Sequence, residues 1–210
     1  MWIKVNWEEA RDSQGIGNMR IIAGSGKGKK LASPTGDGVR PTSDRAREGL
    51  FSSLESEFSS MSDLRFLDLF AGSGAVGVEA LSRGAELVHA VEFDAETVDV
   101  AIQNFKLLNE PSRKHKVFHS RAAKFLESEF PVKYDIIFMD PPYDVSNADV
   151  EDLLDTIVAR DLLQPRGLIA IERESKSKEF AWPASLALEK RRSYGQGSIY
   201  YGGYSDTVSE

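Results

Sequence analysis

The chain of 210 residues contains no cysteine. That excludes disulfides, thiolate–zinc sites, iron–sulfur ligation and cysteine nucleophiles, and it suits a reducing compartment, so a cytoplasmic location is expected. Long apolar runs are also missing: no stretch approaches the ~20 residues that span a bilayer, and no membrane association is expected. The opening "MWIKVNWEEARDSQG" has neither a continuous apolar core nor a small-residue cleavage site, and so does not read as a secretory signal. With 41% hydrophobic and 28% charged residues, the rest of the composition is that of one globular domain with room for a small appendage.

Charge is unevenly placed. The net charge is −7, yet from Arg20 to Arg47 seven cations (Arg20, Lys27, Lys29, Lys30, Arg40, Arg45, Arg47) face only Asp37 and Asp44. This segment carries +5 and the remainder −12, a basic patch on an acidic body and a candidate footprint for nucleic-acid phosphates. A solvated surface loop is the plain alternative. Residues 1–18 are expected to be a dispensable leader or extension before Met19. Residues 19–41 read as a basic β-hairpin arm, with "RIIAG", "KKLASP" and a "TGDG" turn. Residues 42–210 read as the main domain, opening on a helix in "TSDRAREGLFSSLES" capped by Thr42 or Ser43.

Strands and helices then alternate. "RFLDLF", "LVHAVEF", "KVFHS", "YDIIFMD" and "GLIAIER" read as strands. Between them lie the helical stretches "AVGVEALSRG", "AETVDVAIQNFKLLN", "AAKFLESEF" and "ADVEDLLDTIVARDLL". Such alternation predicts a parallel sheet with right-handed crossovers, a doubly wound α/β fold. After Trp182-Pro183, two β segments about "GQG" predict a terminal antiparallel hairpin on the sheet edge.

The turn after the first strand reads Gly72-Ser73-Gly74-Ala75-Val76-Gly77, and Glu92 closes the second strand twenty residues after Gly72. Glycines let the backbone approach a nucleotide-bearing ligand, and the acid suits ribose hydroxyls. A nicotinamide dinucleotide and S-adenosylmethionine both satisfy this spacing. Asp68 favours the second, because its carboxylate repels a pyrophosphate and attracts a cationic amino group and sulfonium.

Asp140-Pro141-Pro142-Tyr143 follows the fourth strand, where neither proline can extend a ladder. The prolines stiffen the turn, so Asp140 and the Pro141 carbonyl offer two fixed acceptors for an exocyclic amine. Tyr143 offers a face for a planar base. A capped proline-rich turn is the simpler reading of these residues taken alone.

Together these motifs resemble a known family. Asp140-Pro141-Pro142-Tyr143 is similar to the amino-methyltransferase signature [N/D]-P-P-[Y/F/W]. "MRIIAGSGKGKKL…GVRPTSDRAREGLF", "FLDLFAGSGAVGVEALSRGA", "VEFD" and a closing "YG…Y" resemble the RsmD family, which methylates guanine N2 in small-subunit (16S) ribosomal RNA. The resemblance runs from Met19 to Tyr204. It implies a Rossmann-like class I methyltransferase fold: a mostly parallel seven-stranded sheet flanked by helices, with the terminal hairpin and a β-rich basic arm. It implies S-adenosylmethionine as cofactor, S-adenosylhomocysteine as product and no metal. Asp140, Pro141 and Tyr143 would be catalytic. Asp68, Phe70, Gly72, Gly74, Glu92, Ser120, Arg121 and Asp140 would line the cofactor. Arg20, Lys27, Lys29, Lys30, Arg40, Arg45, Arg47, Pro142 and Tyr143 would meet RNA, with Arg45 and Arg47 alternatively supporting the fold. Arg40, Pro41 and Thr42 would help order the site. Ser120-Arg121-Ala122 departs from the acid that members commonly carry near the adenine amine. The expected partner is ribosomal RNA, within an assembled or assembling small subunit, bound by a monomer.

Rival readings are adenine-N6 methylation of DNA or RNA, a nicotinamide oxidoreductase, and an RNA-binding or assembly protein with a vestigial fold. "GSGKGKK" lacks phosphate-loop spacing, and His115 and His119 lie roughly 13 Å apart if they share a strand at ~3.3 Å per residue, which argues against a metal pair.

Overall fold

The apolar runs of the chain's middle become buried parallel strands. The computed structural model describes residues 19–34, 44–128, 132–142 and 144–205. After helix α1 (Asp44–Phe58), strands and helices alternate. They are β1 (Arg65–Asp68), α2 (Ala75–Ser82), β2 (Leu87–Glu92), α3 (Ala95–Lys106), β3 (His115–His119) and α4 (Ala122–Leu126). Next come β4 (Tyr134–Met139), α5 (Asn147–Ala159), β5 (Leu163–Glu174), and the hairpin strands β6 (Leu186–Tyr194) and β7 (Gly197–Tyr204).

The seven strands form one sheet in the order β3-β2-β1-β4-β5-β7-β6. The first five are mutually parallel, and β7 runs antiparallel to both β5 and β6. Alternate residues serve opposite faces, as the two-residue period of a strand demands. Phe66, Ile136, Phe138, Ala170 and Tyr201 join the core under α1 and α2, whereas Leu67, Ile137, Met139, Ile171 and Tyr200 join the core under α4 and α5.

Two boundaries depart from the sequence pattern. The helix expected through Leu163 ends at Ala159, and Asp161 takes a left-handed φ of 52°. That turn lets Leu163 pair with Tyr134 and lengthens β5 at its start. The arm, expected as a β-hairpin over residues 19–41, shows among its described residues one antiparallel bridge, Arg20 to Lys30. Its apolar residues Met19, Ile21 and Leu31 enter the core beneath α1 and α2.

Backbone groups of the arm are held by side chains of α2. The Ile22 and Ala23 N–H groups donate to the buried Glu79 carboxylate at 2.7 and 2.9 Å, and the Gly26 N–H donates to Ser82 Oγ at 2.9 Å. Gly24 lies so close to α2 that an added Cβ would sit 1.8 Å from the Ser82 carbonyl oxygen. The expected caps Thr42 and Ser43, the "TGDG" turn and residues 1–18 lie outside the described residues. Among the described residues no helix is long and apolar enough to cross a membrane.

Candidate active site

Three carboxylates meet at the carboxyl edge of three adjacent strands. Asp68 ends β1 and lies in register with Ala90 of β2 and Phe138 of β4. Glu92 ends β2, and Asp140 follows directly on β4. In open α/β sheets this edge is where ligands bind, because helix N-termini and loops converge there.

Asp68 is 1% exposed, and neither of its carboxylate oxygens makes a geometrically complete hydrogen bond. Burial pushes its pKa up to about 8, and the charges of Asp140 and Glu92 add to that. The backbone N–H groups of Gly77 and Phe70 pull the other way without offsetting it. Buried polar groups are ordinarily paired, so an acid held like this is poised for a cationic partner.

Glu92 is engaged through its backbone neighbours. One oxygen accepts the Gly72 N–H at 2.8 Å, and the other accepts the N–H groups of Phe93 and Asp94 at 2.7 and 2.8 Å. The acid therefore shapes the glycine turn as well as presenting its carboxylate beside it. Gly72 has a φ of +52°, and an added Cβ there would meet nothing within 4 Å, so the backbone is open to a close-packed ligand. Gly77 serves packing instead: a Cβ would come within 2.9 Å of Phe105 and 3.1 Å of Val88. Phe70 is half-buried against the core under α4 and α5.

At the Asp-Pro-Pro turn, Pro141 is buried and Pro142 exposed. The Val145 N–H donates to the Pro142 carbonyl at 3.0 Å. Arg173, at the end of β5, donates from Nη2 to the Val145 carbonyl at 2.9 Å and to Asn147 Oδ1 at 3.1 Å. A capping box between Ser146 and Asp149 fixes the start of α5. Tyr143 lies outside the described residues, as do Arg40, Pro41 and Thr42.

Ser120 and Arg121 stand one strand beyond Glu92. The Ser120 N–H donates to the Glu92 carbonyl at 2.9 Å, and the Arg121 guanidinium lies 3.9 Å from the centre of the Phe93 ring. Phe93 is 55% exposed, directly after Glu92 at the carboxyl edge of the sheet. Its position directly after Glu92 was the available sequence signal. Asn104, fully buried on α3, is another residue that motif reading passes over; its signal is an amide on a face shared with Ala101 and Phe105.

The basic residues divide. Arg20, Lys27, Lys29, Lys30 and Arg45 are exposed, with Lys29 Nζ donating to the Leu107 carbonyl at 2.7 Å and Arg20 Nη1 to the Gly28 carbonyl at 2.9 Å. Arg47 is set apart from these exposed cations. Its side chain is fully buried, pairs with Asp44 at 2.8 Å and donates to the Arg20 carbonyl at 2.6 Å, so it serves the fold. Desolvation lowers its pKa, with Asp44 and Glu79 opposing the shift.

In "GSGKGKK", the N–H groups of Ser25, Lys27, Gly28 and Lys29 are consumed by backbone carbonyls and that of Gly26 by Ser82, so these five are not turned toward a phosphate. His115 stacks on Phe105, and His119 Nε2 contacts the Phe93 carbonyl at 2.9 Å.

A parallel sheet ending in a reversed β7, with acids closing β1 and β2 and an Asp-Pro-Pro turn after β4, defines the class I methyltransferase fold. The sequence matches the family described as Conserved hypothetical protein 95 over residues 19–202. The chain belongs to that family, the RsmD family. It is 35% identical over 182 residues to ribosomal RNA small subunit methyltransferase D of Escherichia coli (strain K12), covering 87% of this chain and 88% of that protein. The protein of the same name in Haemophilus influenzae is 34% identical over 180 residues, or 85% and 90% of the two chains. The solved structure of yhhF from Escherichia coli superposes with a TM-score of 0.77 at 31% identity, covering 90% of this chain and all of that one.

Proposed function

We propose that this protein transfers a methyl group from S-adenosylmethionine to the exocyclic N2 amine of a guanine in small-subunit (16S) ribosomal RNA. The observation that carries the reading is the convergence of Asp68, Glu92 and the Asp140-Pro141-Pro142 turn on one sheet edge. The names of its relatives support ribosomal RNA as the substrate class.

The residues suit the cofactor. The two buried oxygens of Asp68 call for a cation, and the face of Gly72 is open. Asp68, Gly72 and Gly74 would hold the methionine portion with Phe70 beside them, Glu92 the ribose hydroxyls, and Phe93, Ser120 and Arg121 the adenine. Bound there, S-adenosylmethionine supplies a methyl group already activated by a sulfonium charge, so the transfer calls on no metal.

The chain's own part is to orient and polarise. A base amine is a weak nucleophile because its lone pair delocalises into the ring. Asp140 and the Pro141 carbonyl would accept its two N–H bonds, favour the positive charge that develops on nitrogen and hold it in line for attack, and the Asp140 carboxylate would take the proton that the methylated nitrogen releases. Tyr143 and Pro142 take the face of a flipped base. The exposed cations Arg20, Lys27, Lys29, Lys30 and Arg45, with Arg40, grip phosphates on RNA of the assembled or assembling subunit. A cytoplasmic monomer suffices for this chemistry.

The test is transfer of tritiated methyl groups to unmodified small subunits and to naked rRNA, followed by nucleoside digestion. Label in N2-methylguanosine is the expected result. Label in N6-methyladenosine would move the target to adenine, and no label on either substrate would overturn the reading.

A further inference from the structure

One buried side chain joins the glycine turn to the basic arm. Asn104 sits on the inward face of α3 and is fully buried. Its Nδ2 donates to the Ser73 carbonyl at 2.8 Å and to the Ala32 carbonyl at 2.9 Å, while Oδ1 accepts the Ala32 N–H at 2.8 Å. Ser73 lies between Gly72 and Gly74, and Ala32 belongs to the docked arm, two residues after the Arg20–Lys30 bridge. An apolar residue of similar volume would fill the same space. What the amide adds is direction: it dictates where the Ser73 carbonyl points, and with it the orientation of the glycines on either side.

The two glycines are steadied unequally: Gly72 has an open face, whereas Gly74 packs against Ala101 and Phe105 of α3 and donates its N–H to the Ala71 carbonyl at 2.7 Å. Gly72 takes φ +52° with an empty Cβ direction, and Gly74 takes φ +76° as the N-cap of α2 without a side-chain cap bond. Glycine turns carry a large conformational entropy, so a turn that must present its backbone to a ligand gains from outside clamps. Glu92 clamps one end through Gly72, and Asn104 clamps the middle through Ser73.

We infer that Asn104 is a positioning residue for the cofactor turn, and that through Ala32 it makes cofactor affinity depend on the docked arm. This rests on the proposed use of S-adenosylmethionine. Misplacing the turn weakens ground-state and transition-state binding alike, so the effect falls on KM for the cofactor and spares kcat.

The experiment compares wild type with Asn104→Leu, which keeps the volume and removes the amide. The expected result is a rise in KM for S-adenosylmethionine of about tenfold or more, with kcat at saturation within about twofold. Ala32→Pro removes the N–H that reaches Oδ1, although it also fixes φ at residue 32 and constrains Leu31, and it should raise KM in the same direction. A lower melting temperature with unchanged KM in Asn104→Leu would make the residue structural only and overturn the inference. Should Asn104→Leu not fold, amide exchange in the wild-type protein decides. Adding S-adenosylhomocysteine should slow exchange at Ala32, and unchanged exchange there despite measured binding would sink the coupling. If wild type neither binds S-adenosylhomocysteine nor transfers methyl groups, it is the proposed function that fails first.

Discussion

The Gly72 N–H and the Glu92 carboxylate meet at 2.8 Å across twenty residues of chain. The acid at the end of β2 thus holds the turn at the end of β1, while its second oxygen collects the N–H groups of Phe93 and Asp94. Hydrogen bonds to an ionised carboxylate are roughly twice as strong as neutral ones. Glu92→Gln, which has one carbonyl acceptor in place of a delocalised pair, should weaken S-adenosylhomocysteine binding by about tenfold or more. Isothermal titration of both proteins checks it, and equal affinities would remove Glu92 from the cofactor site.

Asp68 should write a pH dependence into both stability and binding. Its folded pKa of about 8 stands above its ordinary 3.8, with burial the main cause and Asp140 and Glu92 next. Between those values the folded protein keeps a proton that the unfolded chain has released. Stability of the ligand-free protein therefore falls as pH rises across that window and levels off above it. Asp68→Asn should flatten this component in denaturant titrations run from pH 5 to 9. A cationic ligand favours the ionised acid, so binding near pH 7 should release a proton, seen as a buffer-dependent enthalpy that Asp68→Asn abolishes.

Asp140→Asn keeps the shape of the turn and replaces a charged acceptor with an amide that also donates. Methyl transfer should fall by about 10²–10³-fold, the usual cost of losing one group aimed at developing charge. Retained circular dichroism would show that the fold persists. Full activity in this variant would mean that the Asp-Pro-Pro turn does not hold the reacting amine.

The cations of the arm and of α1 should separate by function. Lys27→Ala and Lys30→Ala should leave the melting temperature near that of wild type and lower the salt slope of RNA binding by about 0.7–0.9 for each phosphate left without its cation. Arg47→Ala should instead lower the melting temperature by several degrees, because it empties a buried site and leaves the Arg20 carbonyl without its donor. Arg47→Met, which refills much of the volume, should cost less. Filter binding across a salt series and thermal melts distinguish the two groups.

Arm docking rests on backbone contact with α2. Gly24→Ala would place a methyl 1.8 Å from the Ser82 carbonyl oxygen at a φ of +79°. The arm must shift, and proteolysis within residues 19–34 should accelerate well beyond that of wild type. Gly28→Ala, strained at φ +83° but with open space at its Cβ, should have the smaller effect. Equal cleavage in both variants would show that strain alone, and not the close approach, controls docking.

Much of this molecule is legible in the linear order of its residues. The period-two burial of the strands, the helical spacing between them and the "GQG" reversal predict the sheet and its final hairpin, because both periods are local properties of the backbone. Asp68, the glycines, Glu92 and Asp140-Pro141 are found by motif, since each stands at a strand end where the alternation itself points. Local pattern does not say which groups share an environment. Arg45 and Arg47 look alike in sequence, yet α1 turns one to solvent and buries the other against Asp44 and the Arg20 carbonyl. Glu79 reads as an ordinary helix acid until the arm lays two N–H groups on it. The end of α5 was hidden too, because Asp161 leaves the helix only to bring Leu163 beside Tyr134. The sequence by itself determined the elements, their order and the chemical types at the sheet edge, since these follow from short-range periodicity. Tertiary structure alone decided which polar groups are buried and joined: burial depends on contacts between residues tens of positions apart, as between Asn104, Ser73 and Ala32.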